Sequence, residues 1–476
     1  MCQYLLLSIR YTPIISVDIE SSFSMYKNIP SDNTVSFTSE NLEKYMISKK
    51  SHAHTTYERY THRVVRGAPC GCSRQPLPSR THRNAIAVNI DIRRGRHADH
   101  ATATSRKFAA RRSTHITRQL KSAADPIDDA KLWTLALAPS IRTGVINISD
   151  GFLNIEEFDG ICKGLFRNDR GIVYSLDVHT LKHIFNIFDT KKDGLIDRQE
   201  FTMCWNKWIK TIIRPVNIFL IIDVQNDFIT GSLNISNCSA QQNGLEVIEP
   251  INHLLDTVNF DSVFYSFDWH PIDHISFIEN LSLRPLDSSS QIKADNAKLY
   301  DTVIFEGSPK IKQRLWPKHC VQDSWGAQLY KDLKVVDNAV KIYKGTISDV
   351  DSYSVFWDNK KLTQTTLGTQ LAQLNATDIY VCGLAYDVCV GATVADALSI
   401  GYRTILIDDC CRGVDLNDIE KTKNHVVKNH GVIAQSHEIK TMVEGRDRRP
   451  ELGYKLALEI EKSMEKENSK EKENYK

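Results

Sequence analysis

Six short apolar runs in the second half of the chain constrain the fold more than any other feature. Polar residues or Gly bound each run, and helical stretches lie between them, most clearly at 388–400 and 418–428. Strands that are buried on both faces have this continuous apolar character. The pattern predicts an α/β domain over 213–443, built on a parallel sheet with crossover helices. The predicted strands are 218–222, 263–267, 340–343, 379–382, 404–407 and 432–434.

The first 126 residues have a different composition. The whole chain of 476 residues carries a net charge of only +2, but 59–121 contains thirteen Arg and two Lys against two Asp. Low apolar periodicity and this charge predict a largely disordered basic region. A nucleic-acid tail, a displaced targeting stretch and an extension without chemistry all remain open. Nucleic acid is the weakest of the proposed partners, because no recognisable reading module accompanies the charge.

Cysteine usage and hydropathy indicate where the protein works. The chain has 11 scattered cysteines, an odd number that does not suit a disulfide framework. Free thiols favour a reducing compartment, so we expect the cytoplasm, with the nucleus as a further location. No apolar run approaches the roughly 18 residues that a membrane span requires. A membrane partner is therefore not expected.

Residues 127–212 read as a helical module around a polar loop. The loop 189–200 places carboxylates at positions one, five, nine and twelve and Gly at position six, the spacing of a calcium-binding loop. The segment 144–208 resembles a paired EF-hand module, with Ile146 and Ile148 at ligand positions of a poorer copy that should bind no metal. Lys191 stands at a ligand position, so a helical pair that packs without calcium is the alternative. The candidate calcium ligands are Asp189, Asp193, Leu195, Asp197 and Glu200. The Glu- and Lys-rich tail 444–476 is expected to be a solvated helix or a fraying end.

Chemistry-bearing side chains follow the predicted strands. Asp223 ends the first strand, Asp268 and His270 follow the second, and Lys344 ends a third. Cys389 lies near the start of a helix after another strand, where the helix dipole favours a thiolate. The carboxyl ends of parallel strands meet at one edge of a sheet. With His319 on a long loop, the economical interpretation is a nucleophile beside a metal site.

These motifs carry a resemblance to a known family. The stretch 216–434, with Asp268-Trp269-His270-Pro271 and the segment 316–320, resembles the nicotinamidase (pyrazinamidase) branch of the isochorismatase-like cysteine hydrolases. The resemblance implies a three-layer α/β sandwich with a six-stranded parallel sheet. It also implies hydrolysis of nicotinamide to nicotinate and ammonia, in NAD salvage.

The resemblance also implies residue roles. The catalytic triad maps onto Asp223, Lys344 and Cys389, and the oxyanion hole onto the backbone N–H groups of Ala385 and Cys389, with a cis Leu384–Ala385 peptide. Asp268, His270 and His319 map onto the ligands of one divalent metal, Zn²⁺, Fe²⁺ or Mn²⁺, and His274 is a second-tier candidate ligand. Phe228, Trp316 and Tyr353 match aromatic walls around the substrate, although packing in the core is an equal alternative.

Other functions stay open from the sequence alone. A hydrolase of the same fold acting on another amide or on an enol ether is the nearest rival, and a calcium-responsive binding protein with a vestigial hydrolase domain is a rival of another class. The insert 282–311 is expected to be a lid or an assembly surface, and a homo-oligomer is among the assemblies this allows.

Overall fold

The computed structural model describes residues 151–474, with side chains to residue 470. The predicted disordered region 1–126 lies outside the described residues. So do the start of the helical module and the positions Ile146 and Ile148 of the poorer loop copy.

A sheet of six parallel strands forms the centre of the domain predicted at 213–443, as expected. Its strand order is β5-β2-β1-β6-β7-β8, and each neighbouring pair is parallel. Every residue of the central strands β1 and β6 is buried, which explains their unbroken apolar runs. The strands of the protein are β1 (Asn217–Ile222), β2 (Ser262–Asp268), β3 (Thr302–Phe305), β4 (Ile311–Arg314), β5 (Val340–Lys344), β6 (Asp378–Leu384), β7 (Arg403–Arg412) and β8 (Val432–Ala434).

Helices flank the sheet as crossover connections. The helices are α1 (Ile155–Leu165), α2 (Val178–Phe188), α3 (Arg198–Cys204), α4 (Lys210–Ile213), α5 (Asn226–Ile229), α6 (Ile248–Thr257), α7 (Leu367–Gln373), α8 (Gly391–Ile400), α9 (Leu416–Lys428), α10 (Ser436–Val443) and α11 (Pro450–Asn474). Short 3₁₀ turns occur at Ile235–Asn237, Gly244–Val247, Ile278–Leu283 and Ala294–Asn296, and π-helical segments at Trp205–Ile209 and Tyr386–Val390. Helices α6 and α10 pack on each other and on β7. Helices α8 and α9 also pack on each other.

The insert 282–311 folds into its own small unit. Strands β3 and β4 form an antiparallel hairpin at its end. The hairpin shares a separate apolar cluster with residues on both sides of the insert, namely Ile275, Leu281, Val303, Phe305 and Leu315. Because Leu315 packs in this cluster, the following segment, which carries His319, lies close to the residues after β2.

The helical module has a compact core of its own. Helices α1, α2 and α3 pack around Trp208, which is fully buried against Phe158 and Phe166. A two-way backbone pair joins Leu153 to Ile196, with both N–H···O distances at 2.9 Å. These residues hold the eighth position in the poorer and the better loop, so the described part of the module pairs the two loops at equivalent points.

The prediction for the C-terminal tail is wrong over its first half. Helix α11 begins at Pro450, and its residues Ala457 and Ile460 are buried in the core of the helical module. The indole Nε1 of Trp208 donates to the carbonyl of Gly453 at 2.8 Å. The segment 444–476 is rich in Glu and Lys, but one face of its helix is apolar, and this face is buried against the helical module.

The described residues contain no membrane-spanning candidate, because no helix within 151–474 is both long and apolar enough. Their cysteines are free and buried, which agrees with the expectation of unpaired thiols. These are Cys162, Cys204, Cys238, Cys320, Cys382, Cys389, Cys410 and Cys411.

Candidate active site and metal centre

The structure brings Asp223, Lys344 and Cys389 together at the carboxyl edge of the sheet. Asp223 follows β1, Lys344 is the last residue of β5, and Cys389 follows β6. The Lys344 Nζ lies 2.9 Å from Asp223 Oδ2 and 3.3 Å from Cys389 Sγ. The thiol and the Asp223 carboxylate belong to one group of possible ligand atoms within 4.8 Å of each other. A nucleophile, a base and a cation therefore share one buried space.

Lys344 is the centre of this charge network. It is only 1% exposed, and its ammonium also pairs with Asp268 and donates to the Ser352 carbonyl at 3.0 Å. Burial opposes the charge, but the carboxylates of Asp223 and Asp268 outweigh it and raise the Lys344 pKa well above its ordinary value. Lys344 is thus a permanent cation between two carboxylates.

Cys389 rests as a thiol. It lies in the π-helical segment Tyr386–Val390, just before α8. Burial raises its pKa well above that of a free cysteine, although Lys344 acts in the opposite direction. The helix dipole was expected to favour a thiolate, but desolvation of the charged sulfur is the larger effect on the Cys389 pKa.

Asp223 is prepared to take a proton. Burial raises the pKa of its carboxyl group, and the Lys344 charge reduces this effect. Its Oδ1 accepts a hydrogen bond of 2.6 Å from Ser266 Oγ, while Oδ2 faces the Lys344 ammonium. A carboxylate with a raised pKa is a better match for a thiol proton than an ordinary surface aspartate.

Asp268, His270 and His319 form the predicted cluster of metal ligands. Their ligand atoms all lie within 4.8 Å of one another, and all three side chains are buried. The Nε2 atoms of His270 and His319 lie 3.5 and 3.9 Å from Asp268 Oδ2. The Nδ1 atoms lie 2.9 Å from the Gly345 carbonyl and 2.7 Å from the Pro317 carbonyl. A carbonyl only accepts, so each ring donates from Nδ1 and turns its Nε2 toward the Asp268 carboxylate.

The ionisation of this cluster also suits a cation. Burial opposes the charge on Asp268, but Lys344 and His270 outweigh it and lower the carboxyl pKa. Burial, with the nearby His270, lowers the pKa of His319 to about 4, so this ring is neutral at pH 7. A mixed carboxylate and imidazole set of this kind fits a divalent transition metal such as Zn²⁺, Fe²⁺ or Mn²⁺.

His274 lies beside the cluster but outside it. Its ring stacks on that of His270 at a centroid distance of 4.0 Å. Its Nδ1 lies 2.7 Å from Ser276 Oγ and its Nε2 lies 3.3 Å from the Val350 carbonyl. Both nitrogens are thus engaged by the protein, and His274 instead groups with His270 and Asp351.

One pocket connects the thiol to the metal cluster. It encloses about 390 Å³, including its open mouth. Its walls contain the predicted aromatic residues Phe228, Trp316 and Tyr353 and the predicted oxyanion-hole residues Ala385 and Cys389. The Leu384–Ala385 peptide is cis, as expected. The remaining lining residues are Leu233, Ile235, Asp268, His319, Asp351, Val388 and Val414.

Sequence reasoning missed several polar residues of this site. Asp351 lines the pocket, is buried, and accepts from Gln313 Nε2 at 2.8 Å, while burial raises its pKa. Gln225 and Asp227 contact the segments that hold the metal ligands. Asp351 lies in a loop without periodicity and had no sequence signal. Gln225 and Asp227 alternate with Asp223 just after a strand, which was an available signal.

The candidate calcium loop is held together by its own hydrogen bonds. Asp189 and Glu200 are buried, and the carboxylate of Glu200 accepts from the backbone N–H groups of Lys191 and Asp197 at 3.0 and 2.9 Å. The Lys191 ammonium pairs with Asp197. In 151–474, the groups of three or more potential ligands within 4.8 Å all lie at the hydrolase site. The candidate Leu195 is partly exposed, and the Asp193 carboxylate accepts from its backbone N–H at 3.0 Å.

This fold and site define a parallel α/β domain that carries a candidate cysteine nucleophile beside a candidate metal centre. The model of the isochorismatase domain matches residues 217–439. The nicotinamidase of Escherichia coli (strain K12) is 36% identical over 204 residues, which are 42% of this chain and 85% of that protein. The nicotinamidase of Saccharomyces cerevisiae is 32% identical over 222 residues, 45% of this chain and 96% of that protein. A solved nicotinamidase and pyrazinamidase of Acinetobacter baumanii is 31% identical, covers 47% of this chain and 98% of its own, and has a TM-score of 0.40.

The chain belongs to the isochorismatase family of hydrolases, on its nicotinamidase branch. The match with the family model begins at residue 217 and ends at residue 439. The helical module and α11 lie outside it.

Proposed function

We propose that the protein is a nicotinamidase, which hydrolyses nicotinamide to nicotinate and ammonia. The observation that carries the proposal is one pocket that joins the Cys389 thiol to the cluster of Asp268, His270 and His319. An amide carbon placed at the thiol can have its aromatic ring directed toward the cluster. The relatives named nicotinamidase support the choice of substrate.

The first half of the proposed reaction forms a thioester. Asp223 takes the proton of Cys389 as the sulfur attacks the carbonyl carbon, so the thiolate exists only during attack. The oxyanion that develops accepts from the backbone N–H groups of Ala385 and Cys389. Asp223 then donates the same proton to the departing nitrogen, and ammonia leaves.

The second half regenerates the thiol. Asp223, again a carboxylate, takes a proton from water as the water oxygen attacks the thioester carbon. The C–S bond breaks, the sulfur receives the proton, and nicotinate leaves. Lys344 keeps Asp223 in place throughout, since its ammonium contacts both Asp223 and the sulfur.

The metal has a separate task in this proposal. When bound by Asp268, His270 and His319, a divalent ion supplies a Lewis-acid partner for the pyridine nitrogen and so orients the ring. Phe228 and Trp316 limit the space on the ring faces, and both are buried. We place the reaction in NAD salvage and in the cytoplasm, where the buried free thiols stay reduced.

Calcium binding by the loop 189–200 stays a prediction. The paired loops and the buried Asp189 and Glu200 favour a cation site, whereas the Lys191 ammonium already neutralises Asp197. We infer that calcium binds weakly at this loop.

The test of the nicotinamidase proposal is ammonia release from nicotinamide. We expect release by the full chain, loss after a chelator, and recovery when Zn²⁺, Fe²⁺ or Mn²⁺ is returned. The proposal would be abandoned if folded, metal-loaded protein released no ammonia from nicotinamide while hydrolysing another amide.

A further inference from the structure

Two buried side chains just after β1 have no task in the proposed reaction. Gln225 and Asp227 are 0% and 8% exposed. They lie two and four residues after the base Asp223, and Asp227 belongs to the short helix α5. Gln225 and Asp227 make hydrogen bonds mainly to backbone groups of the segments that carry the metal ligands.

Gln225 fixes the backbone of Asp268. Its Oε1 accepts from the Asp268 N–H at 2.9 Å, and its Nε2 donates to the Asp268 carbonyl at 2.8 Å. The same Nε2 donates to the Ala327 carbonyl at 2.9 Å. Both peptide groups of a candidate metal ligand are therefore held by one side chain.

Asp227 fixes the other two ligands through Cys320. Its Oδ2 accepts from the Cys320 N–H at 2.7 Å, next to His319 in the chain. The Cys320 carbonyl in turn accepts from the His270 N–H at 2.9 Å. One carboxylate thus holds the backbone of Cys320, which links the His319 segment to the His270 segment.

The Asp227 carboxylate has little freedom to move. Its Oδ1 accepts from the Ser232 N–H at 3.0 Å. A Cβ atom at Gly326 would lie 1.9 Å from Oδ2, and one at Gly231 would lie 2.1 Å from Oδ1. Two glycines therefore make room for this carboxylate.

We propose that Gln225 and Asp227 are positioning residues of the metal centre, which set the spacing of Asp268, His270 and His319. The inference rests on the proposed function, because it assumes that these three residues hold a metal. Outer partners that orient metal ligands typically change metal affinity 10- to 100-fold when they are removed. The short segment 223–227 would then fix the position of the catalytic base relative to the metal ligands.

The test is the zinc affinity of the full chain with Asp227→Asn, measured by competition with a chromophoric chelator. In the asparagine variant an NH₂ group must face one of the two backbone N–H donors, so the Cys320 peptide shifts. We expect zinc binding to weaken about 10- to 100-fold, and saturating zinc to restore most of the activity.

Asp387→Asn is the matched control. The Asp387 carboxylate also accepts from two backbone N–H groups, those of Val414 and Asp415 at 2.8 and 2.9 Å, and these donors lie outside the segments that carry the metal ligands. We expect its zinc affinity to stay within about threefold of wild type. If Asp227→Asn does not fold, as judged by its circular dichroism, Gln225→Met carries the same expectation.

Three results would count against the inference in different ways. Unchanged zinc affinity in Asp227→Asn and Gln225→Met would overturn it and leave the proposed function intact. An equal loss in Asp387→Asn would overturn it as well, since the effect would then be general. Wild-type protein that binds no zinc, iron or manganese would overturn both this inference and the metal part of the proposed function.

Discussion

Desolvation decides the resting state of the proposed nucleophile. Cys389 has a cation 3.3 Å from its sulfur, yet burial still raises the thiol pKa. The same burial raises the pKa of Asp223. Burial thus favours the uncharged form of both groups, and the raised carboxyl pKa makes Asp223 a stronger base than an ordinary aspartate.

The first prediction concerns Lys344→Met. This change leaves the carboxylates of Asp223 and Asp268 buried without their shared cation, so we expect a loss of about 3–5 kcal/mol in the free energy of unfolding. Activity should fall at least 100-fold, because the base and a metal ligand both lose their partner. Denaturant unfolding and ammonia release measure the two effects.

Lys361→Met is its control. Lys361 pairs with Asp396, but its side chain is 60% exposed. Removing such a pair should cost less than about 1 kcal/mol and leave the rate of ammonia release unchanged. Equal losses for the two lysines would contradict the central place given to Lys344.

Strands were predictable because their signal is local. The fully buried β1 and β6 appear in the sequence as unbroken apolar runs, and the residues that follow them are Asp223 and Ala385. The residue types and strand ends were enough to group the candidates at one edge of the sheet, whereas their individual roles came from the family resemblance. The closeness of Gln225 and Asp227 to Asp223 was an available signal for their place at the site, but their partners lie about 43 and 93 residues away, and no local pattern records such contacts.

The loop 189–200 shows the limit of a motif match. Its spacing predicts calcium, but the Lys191 ammonium sits at a ligand position and pairs with Asp197. Whether a cation displaces the ammonium depends on a balance of free energies that spacing alone does not provide.

The second prediction is that Lys191→Asp strengthens calcium binding at least about tenfold over wild type. The change removes the competing ammonium and adds a carboxylate at the third loop position. Calorimetric titration of the full chain with calcium measures it.

Lys192→Asp makes the same change of charge one residue later. The Lys192 ammonium bonds the Asn186 carbonyl rather than a loop carboxylate. We expect a smaller increase in calcium affinity in this variant than in Lys191→Asp. Equal increases in the two variants would show that only the net charge of the loop matters.

Within the described residues, helix α11 connects the hydrolase domain to the helical module. This helix follows the hydrolase domain, and its first half enters the core of the helical module. Gly453 makes this approach possible, because a Cβ atom there would lie 2.3 Å from the ring of Phe166. The composition of 444–476 could not reveal this arrangement, since the partner surface is formed by residues about 250 positions earlier.

The third prediction concerns Gly453→Val. Overpacking against Phe166 should reduce the free energy of unfolding by about 1–3 kcal/mol. Activity at low temperature should persist, because the pocket lies at the opposite, carboxyl edge of the sheet. Thermal unfolding and ammonia release measure the two effects.

Lys466→Val is the control on the exposed part of the same helix. It introduces the same β-branched side chain, and we expect a change of about 0.5 kcal/mol or less. Helix propensity favours Val over Gly but disfavours Val relative to Lys, so a loss in Gly453→Val no larger than that in Lys466→Val would contradict a close contact with Phe166.

The most direct measurement is the mass of the protein during turnover of nicotinamide, with acid quenching and peptide mapping. We predict a nicotinoyl group on Cys389 that is absent in Cys389→Ala, a variant that should also release no ammonia. Ammonia release by Cys389→Ala at the wild-type rate, or an acyl group on another residue, would contradict it.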